Sequence, residues 1–240
     1  MNALKTVIDF ILPPRCIVTG DIVDNQGMLS PKAWAELTFI SDPQCQKCGV
    51  PFEFDVGNSQ STCVKCMDKP PSYHQARSAL VYDDASRDLV LAFKHGDKTH
   101  YIMGFLPWLK RAGQDLITAS DIVMPVPLHQ VRLIQRRYNQ AGIMAKYLAT
   151  DCDKTLMLDG LERVRSTPPQ GFKNATERQK NVRRAFAVRL KHRMAIKGKT
   201  ILLIDDVLTT GATIEECTQT LMAAGAKAVN VLTLTRTIRK

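Results

Sequence analysis

The 240-residue sequence has no apolar run approaching the roughly 20 residues that a transmembrane helix needs, so no membrane span is expected. Its apolar N-terminal piece, residues 7–12, is short, contains Asp9 and runs into Pro13-Pro14 rather than a small-residue cleavage site, so it is not expected to be a signal peptide. Aromatic residues are scarce at 6% of the chain, so base-stacking platforms for nucleic acid are in short supply. No internal repeat recurs at solenoid periods. Without a secretion signal, the seven cysteines are expected in the reducing cytoplasm as metal ligands or free thiols, not disulfides.

What is present describes an ordinary globular protein, 45% hydrophobic and 23% charged. The length accommodates one full α/β domain and a smaller module. The formal charge of +10 is concentrated in one segment, residues 161–199, which holds twelve Lys or Arg against Glu162 and Glu177. Three readings of that segment stay open: a loop that closes on pyrophosphate, a nucleic-acid surface, or a solvated charge run. Only Phe172 and Phe186 interrupt it, which favours contact with phosphate backbone over base readout.

Two Cys-x-x-Cys pairs, Cys45 with Cys48 and Cys63 with Cys66, have the spacing of a zinc ribbon. Four thiolates close a tetrahedral Zn2+ site and leave no open position, so this metal is structural. The alternatives are a redox pair or plain buried thiols. Pro70-Pro71 then divides a helix and zinc-ribbon domain, residues 1–70, from a second domain, residues 71–240.

Along the chain, residues 2–12 carry apolar positions at helical spacing, and a short helix is expected around Trp34 and Leu37. Residues 77–83 read as a strand, 86–93 as a helix stopped near Gly96, and 103–112 as a second helix. Residues 121–127 are a strand ending in prolines. The helix that follows has an apolar side from Leu133 or Ile134 to Leu148 and a basic side with Arg132, Arg136 and Arg137. Residues 155–184 read as a long mobile loop, 185–189 as a short strand and 229–234 as the last strand. Strands separated by helices predict a mainly parallel α/β sheet with a crevice above its carboxyl ends.

The most informative stretch is 200–213. Residues 201–204 are continuously apolar, as in a strand buried on both faces. Asp205 and Asp206 follow, and then Thr209, Thr210, Gly211, Ala212 and Thr213 open a helix, where free backbone N–H groups favour an anion. Two carboxylates would repel a phosphate but suit ribose hydroxyls or Mg2+, so a sugar phosphate satisfies both halves. The bland alternative is a strand-to-helix turn with capping Thr and Asp side chains.

This pattern resembles the phosphoribosyl-pyrophosphate (PRPP) motif of type I phosphoribosyltransferases. In order along the chain, Pro-Pro-Arg-Cys16, the paired Cys-x-x-Cys, Lys94-His-Gly, Val126-Pro-Leu-His129, Arg137-Tyr-Asn-Gln140, Arg163-x-Arg-x-Thr167-x-x-Gln170 and the Asp-Asp loop resemble the ComF family. The resemblance implies a zinc ribbon ahead of a phosphoribosyltransferase-type domain, a link to DNA uptake in natural competence, and competence proteins as partners. It implies that Asp205 and Asp206 hold the ribose, that 209–213 hold the 5'-phosphate, and that Mg2+ arrives with PRPP. Pro127, Leu128 and His129 match the pyrophosphate loop, with Arg136 and Arg137 adding charge there; His129 as a helix cap and the arginines as a solvated face are the alternatives.

The chain departs from the family in two places. Thr19 stands where a cysteine partner of Cys16 is usual, so a second metal site is not expected. Arg137 replaces a glycine beside the pyrophosphate region. Thr209 occupies a position that is acidic in enzymes acting on 6-oxopurines, which argues against such a base. A glutaminase half, which requires an N-terminal cysteine nucleophile, is not expected from Met1-Asn2.

Overall fold

The computed structural model describes residues 12–54, 61–95, 99–128, 138–165 and 182–238. The expected N-terminal helix over 2–12 therefore lies almost wholly outside the described residues, as do Gly96, His129, Arg136, Arg137, Thr167 and Gln170. None of the described helices is long and apolar enough to cross a membrane.

Five parallel strands form the sheet, in the order β1 (Gln75–Val81), β7 (Ala228–Arg236), β6 (Thr200–Leu208), β2 (Ile122–Pro125) and β3 (Thr155–Leu156). The mainly parallel α/β architecture expected from the sequence is present. Ile201, Leu202, Leu203 and Ile204 are fully buried because β6 is central and both its faces are covered. On one face, Leu202, Ile204, Leu232 and Val123 meet Phe105 and Leu109 of α4 (Ile102–Ala119), Met144 and Leu148 of α5 (Gln140–Asp151), and Val90 and Phe93 of α3 (Asp84–His95). On the other, Ile201, Leu203, Val229 and Val231 meet Ile196 of the short α6 (Arg193–Ile196) and Ile214, Cys217 and Leu221 of α7 (Ala212–Ala223).

Several elements extend beyond their expected limits for physical reasons. Helix α4 continues past 112 through Gly113, whose missing side chain makes room for Leu232; a Cβ there would lie 2.6 Å from a Leu232 methyl. β6 runs on through Asp205 and Asp206 to Leu208, because β7 continues beside it, with Thr233 opposite Asp205 and Thr235 opposite Val207, and Thr235 Oγ1 donates to the Asp206 carbonyl at 3.2 Å. The stretch read as one mobile loop contains β3 and β4 (Leu161–Arg163), and β4 pairs with β5 (Phe186–Val188) as an antiparallel ribbon. That part of the loop expectation is corrected; residues 166–181 lie outside the described residues.

The N-terminal segment carries α1 (Pro31–Glu36), α2 (Val64–Asp68) and two knuckle turns closed by the bridges Arg15 to Ile22 and Gln44 to Pro51. Cys45, Cys48 and Cys66 share one apolar cluster with Tyr73, Ala76 and the β7 side chains, so the ribbon packs directly on the sheet. Its backbone is tied there by Ala76 N donating to Lys47 O at 2.7 Å.

Candidate functional site and metal centre

Chain direction through the sheet creates the site. From β2 the chain leads outward to β3, whereas from β6 it leads the opposite way to β7, so the loops after β2 and β6 diverge and open a crevice at the topological switch point. β2 stops at Pro125, paired with Ile204, so Asp205 is the first β6 residue without a strand on that side. A cavity of 290 Å³ results, walled by Pro127 and Leu128 after β2 and, across from them, by Asp205 and Asp206 of β6, Thr209 and Gly211 of the loop, and Ala212 and Thr213 of α7.

The loop is shaped by Gly211, the residue preceding α7, at φ +82° and ψ 0°. This left-handed conformation suits glycine, and it turns the chain so that α7 begins at the crevice, which its first residues Ala212 and Thr213 line. Thr210 Oγ1 accepts from Ala212 N at 3.5 Å. With Thr209, Gly211 and Ala212 it lines a second cavity, shared with Lys65, Lys69, Pro71 and Tyr73 of the ribbon side.

Two cations balance the acid pair. Lys94 Nζ lies 2.8 Å from Asp206 Oδ2, and both side chains are largely shielded from water. Arg163, with its guanidinium 5.4 Å from the Phe186 ring, also lines the crevice and acts electrostatically on Asp205. Burial and the adjacent Asp206 carboxylate nonetheless push Asp205 up to about 7. The Asp206 N–H donates to Asp205 Oδ1 at 2.9 Å and fixes its rotamer. A ligand presenting hydroxyls or a divalent cation would relieve this repulsion.

Residues 138–140 fasten the crevice wall. Tyr138 Oη donates to Phe93 O at 2.8 Å, Gln140 Nε2 to Lys94 O at 3.2 Å, and Asn139 Nδ2 to Val126 O at 3.1 Å. They position the end of α3, and hence Lys94, against the loop after β2. Asn139 precedes α5 without making a side-chain cap. The approach of Lys94 to Asp206 joins segments far apart in sequence, which no local pattern encodes.

The four cysteines come together as the spacing predicts. The sulfurs of Cys45, Cys48, Cys63 and Cys66 all lie within 4.8 Å of one another, with Cys48 and Cys63 at 3.7 Å. The Cys45 sulfur accepts N–H bonds from Cys48 and Cys63. The Cys48 thiol, with these amides, pulls Cys45 down to about 4, while Cys48 and Cys66 are pushed up. A compact set of four sulfurs with backbone donors fits a closed, structural Zn2+ site.

Zinc centre and phosphate loop are neighbours. Arg236, buried at the end of β7, donates through Nη1 to Cys48 O, and its register partner on β6 is Leu208, the residue before the loop. Glu215 in the first turn of α7 receives both the N–H and the hydroxyl of Ser72.

The basic segment is partly neutralised. Arg189 pairs with Asp159 and Glu162, Lys191 with Asp159, and Lys199 with Asp121. Arg183, Arg184 and Arg193 are exposed.

Fold and sites define a phosphoribosyltransferase-type α/β domain carrying an N-terminal zinc ribbon. Comparison with known families agrees: residues 7–67 match the double zinc ribbon domain and residues 139–240 the phosphoribosyl transferase domain. The chain is a homologue of named competence and DNA utilization proteins, which bears out the ComF resemblance. It is 28% identical over 199 residues to DNA utilization protein YhgH of Escherichia coli K12, covering 81% of this chain and 84% of that protein. It is 25% identical to competence protein F of Haemophilus influenzae, covering 82% and 86%, and 29% identical to competence protein ComFC of Bacillus subtilis, covering 68% and 64%.

Proposed function

We propose that the crevice binds PRPP or a related ribose phosphate together with Mg2+, in a protein that handles incoming single-stranded DNA during uptake. The observation that carries the ligand assignment is the junction of an acid pair with a helix-opening loop at the sheet's switch point. Amides of residues 211–213 and the hydroxyls of Thr209 and Thr213 suit the 5'-phosphate, while Asp205 and Asp206 suit the ribose 2'- and 3'-hydroxyls. Mg2+ would be held mainly by the ligand's own oxygens. The assignment is tested by calorimetric titration with PRPP and Mg2+, expected to give saturable one-site binding; heat no greater than that of dilution rejects it.

The DNA role is supported by the names of the relatives and by exposed Arg183 and Arg184. Backbone contact of this kind requires affinity to fall steeply with salt and to weaken when both arginines are neutralised; salt-independent or absent binding rejects it.

An active phosphoribosyltransferase is the second reading. It is favoured by a further cavity of 710 Å³ that shares Pro127, Leu128, Asn139 and Arg163 with the crevice and provides room for an acceptor. In that reaction a nucleophile bonds to C1 as the C1–O bond to pyrophosphate breaks, and the residues named here bind and orient the ribose phosphate. Release of pyrophosphate with a pool of amines and bases tests it; binding without turnover leaves a ligand site alone.

A further inference from the structure

The two knuckle turns of the N-terminal segment are copies of one another. Cys16 N donates to Asp21 O at 2.8 Å and Gly20 N to Cys16 O at 2.9 Å; Cys45 N donates to Val50 O at 2.8 Å and Gly49 N to Cys45 O at 2.8 Å. Val23 N to Pro14 O and Phe52 N to Pro43 O are both 2.9 Å. Both bridges, Arg15 to Ile22 and Gln44 to Pro51, keep the same offset, and Gly20 and Gly49 both have positive φ, +77° and +69°.

The correspondence continues into the helices. Ser30 precedes α1 at φ −67° and ψ 156°, and Cys63 precedes α2 at φ −70° and ψ 154°. Trp34 N donates to Ser30 O as Met67 N does to Cys63 O. Backbone N–H groups of Cys48 and Cys63 donate to the Cys45 sulfur at 3.5 and 3.3 Å, and the amides of their counterparts Thr19 and Ser30 act to lower the Cys16 thiol.

We propose that residues 14–36 are a second ribbon unit that has lost its metal, with Cys16, Thr19, Ser30 and Ala33 at the positions taken by Cys45, Cys48, Cys63 and Cys66, and a hydrogen-bonded cluster in place of the ion. These residues do not fit zinc. One thiol, two hydroxyls and a methyl group cannot supply the four sulfur or nitrogen donors of a structural site. The hydroxyls satisfy each other instead: Thr19 Oγ1 lies 2.9 Å from Ser30 Oγ and donates to Asp21 Oδ2 at 2.7 Å, while Ser30 Oγ accepts Ala33 N at 3.3 Å.

Packing takes over the metal's holding role. Ile17, Val18 and Leu29 rest on the main core. Gly27 lies against the backbone of α4, where a Cβ would come within 2.6 Å of Met103 O. Just beyond α1, Phe39 stacks with Trp34 at 4.7 Å and meets Trp108 edge-on at 5.4 Å. The first unit is thus anchored to α4, and the second to the sheet beside the phosphate loop. The family match to a double zinc ribbon describes the fold of this segment, and one of its two metals is gone.

The decisive experiment restores the missing thiols. Wild-type protein should contain one zinc per chain, and the Thr19→Cys/Ser30→Cys/Ala33→Cys variant two, with the thiolate-to-metal absorption of the cobalt-substituted protein about doubled. Two zinc ions in the wild type, or one in a folded triple variant, overturns the proposal. A companion measurement covers a variant that does not fold. After chelation of wild-type protein, hydrogen exchange should quicken at Cys45 and Gly49 but not at Cys16 and Gly20, and Cys16→Ser should retain one zinc. Equal loss of protection in both knuckles, or loss of zinc in Cys16→Ser, contradicts it.

Discussion

Lys94 and Asp206 form a 2.8 Å ion pair across the crevice, between the last turn of α3 and the carboxyl end of β6. Both charges are largely shielded, so removing one leaves the other uncompensated. Lys94→Met is expected to lower stability by about 1 to 2 kcal/mol and to weaken ribose-phosphate binding, read by denaturant melts and calorimetry. Lys94→Met/Asp206→Asn should recover part of the stability but not the binding.

The acid pair makes the ligand-free protein pH-sensitive. Burial and the Asp206 charge raise Asp205 to about 7, so the folded state holds a proton that the unfolded state gives up near the ordinary carboxylate range. Stability contributed by this group is therefore complete below that range and falls as pH rises toward 7. Asp205→Asn should flatten the decline and gain about 1 to 3 kcal/mol at pH 8, measured by urea unfolding at pH 5 and pH 8. A ligand whose hydroxyls require carboxylate acceptors should bind wild-type protein more tightly at pH 8 than at pH 6.

Gly211→Ala separates backbone shape from space. The nearest atom to an added Cβ is a Leu208 methyl at 3.9 Å, so the methyl group fits and only the positive φ is strained. The cost should be about 1 kcal/mol, accompanied by loss of phosphate affinity as the loop relaxes; unchanged affinity would remove the loop from the site.

Arg236 links the zinc centre to the loop. Its guanidinium is buried against Cys48, and its backbone pairs with Leu208. Arg236→Met should speed zinc release to a chelator and also lower affinity for the ribose phosphate. A change in zinc release alone would show that the two sites are mechanically separate.

The sequence made the local features legible. Cysteine spacing found the zinc cluster because each Cys-x-x-Cys turn is a local geometry, and the buried run at 201–204 marked the central strand. The acid pair and small-residue loop found one wall of the crevice. Its other wall was less readable. Lys94 acts through an ion pair with the distant Asp206 carboxylate, Asn139 and Gln140 act through bonds to the Val126 and Lys94 backbone, and strand continuation through Asp205 and Asp206 depends on pairing with β7. Thr19 in place of a cysteine marks the missing metal in the sequence, but the repeat between the two knuckles is hidden there, because glycine placement and main-chain bonds carry it while three of four ligand positions differ.

Ligand assignment at Asp205 to Thr213 meets its most direct test in calorimetry with PRPP and Mg2+ on wild type and on Asp205→Ala/Asp206→Ala, each checked for an intact fold by its melting curve. Wild type should bind one PRPP per chain, and the double variant should lose at least about tenfold in affinity, equivalent to roughly 1.4 kcal/mol. Equal binding by both proteins, or none by the wild type, would contradict a ribose-phosphate site built on this acid pair.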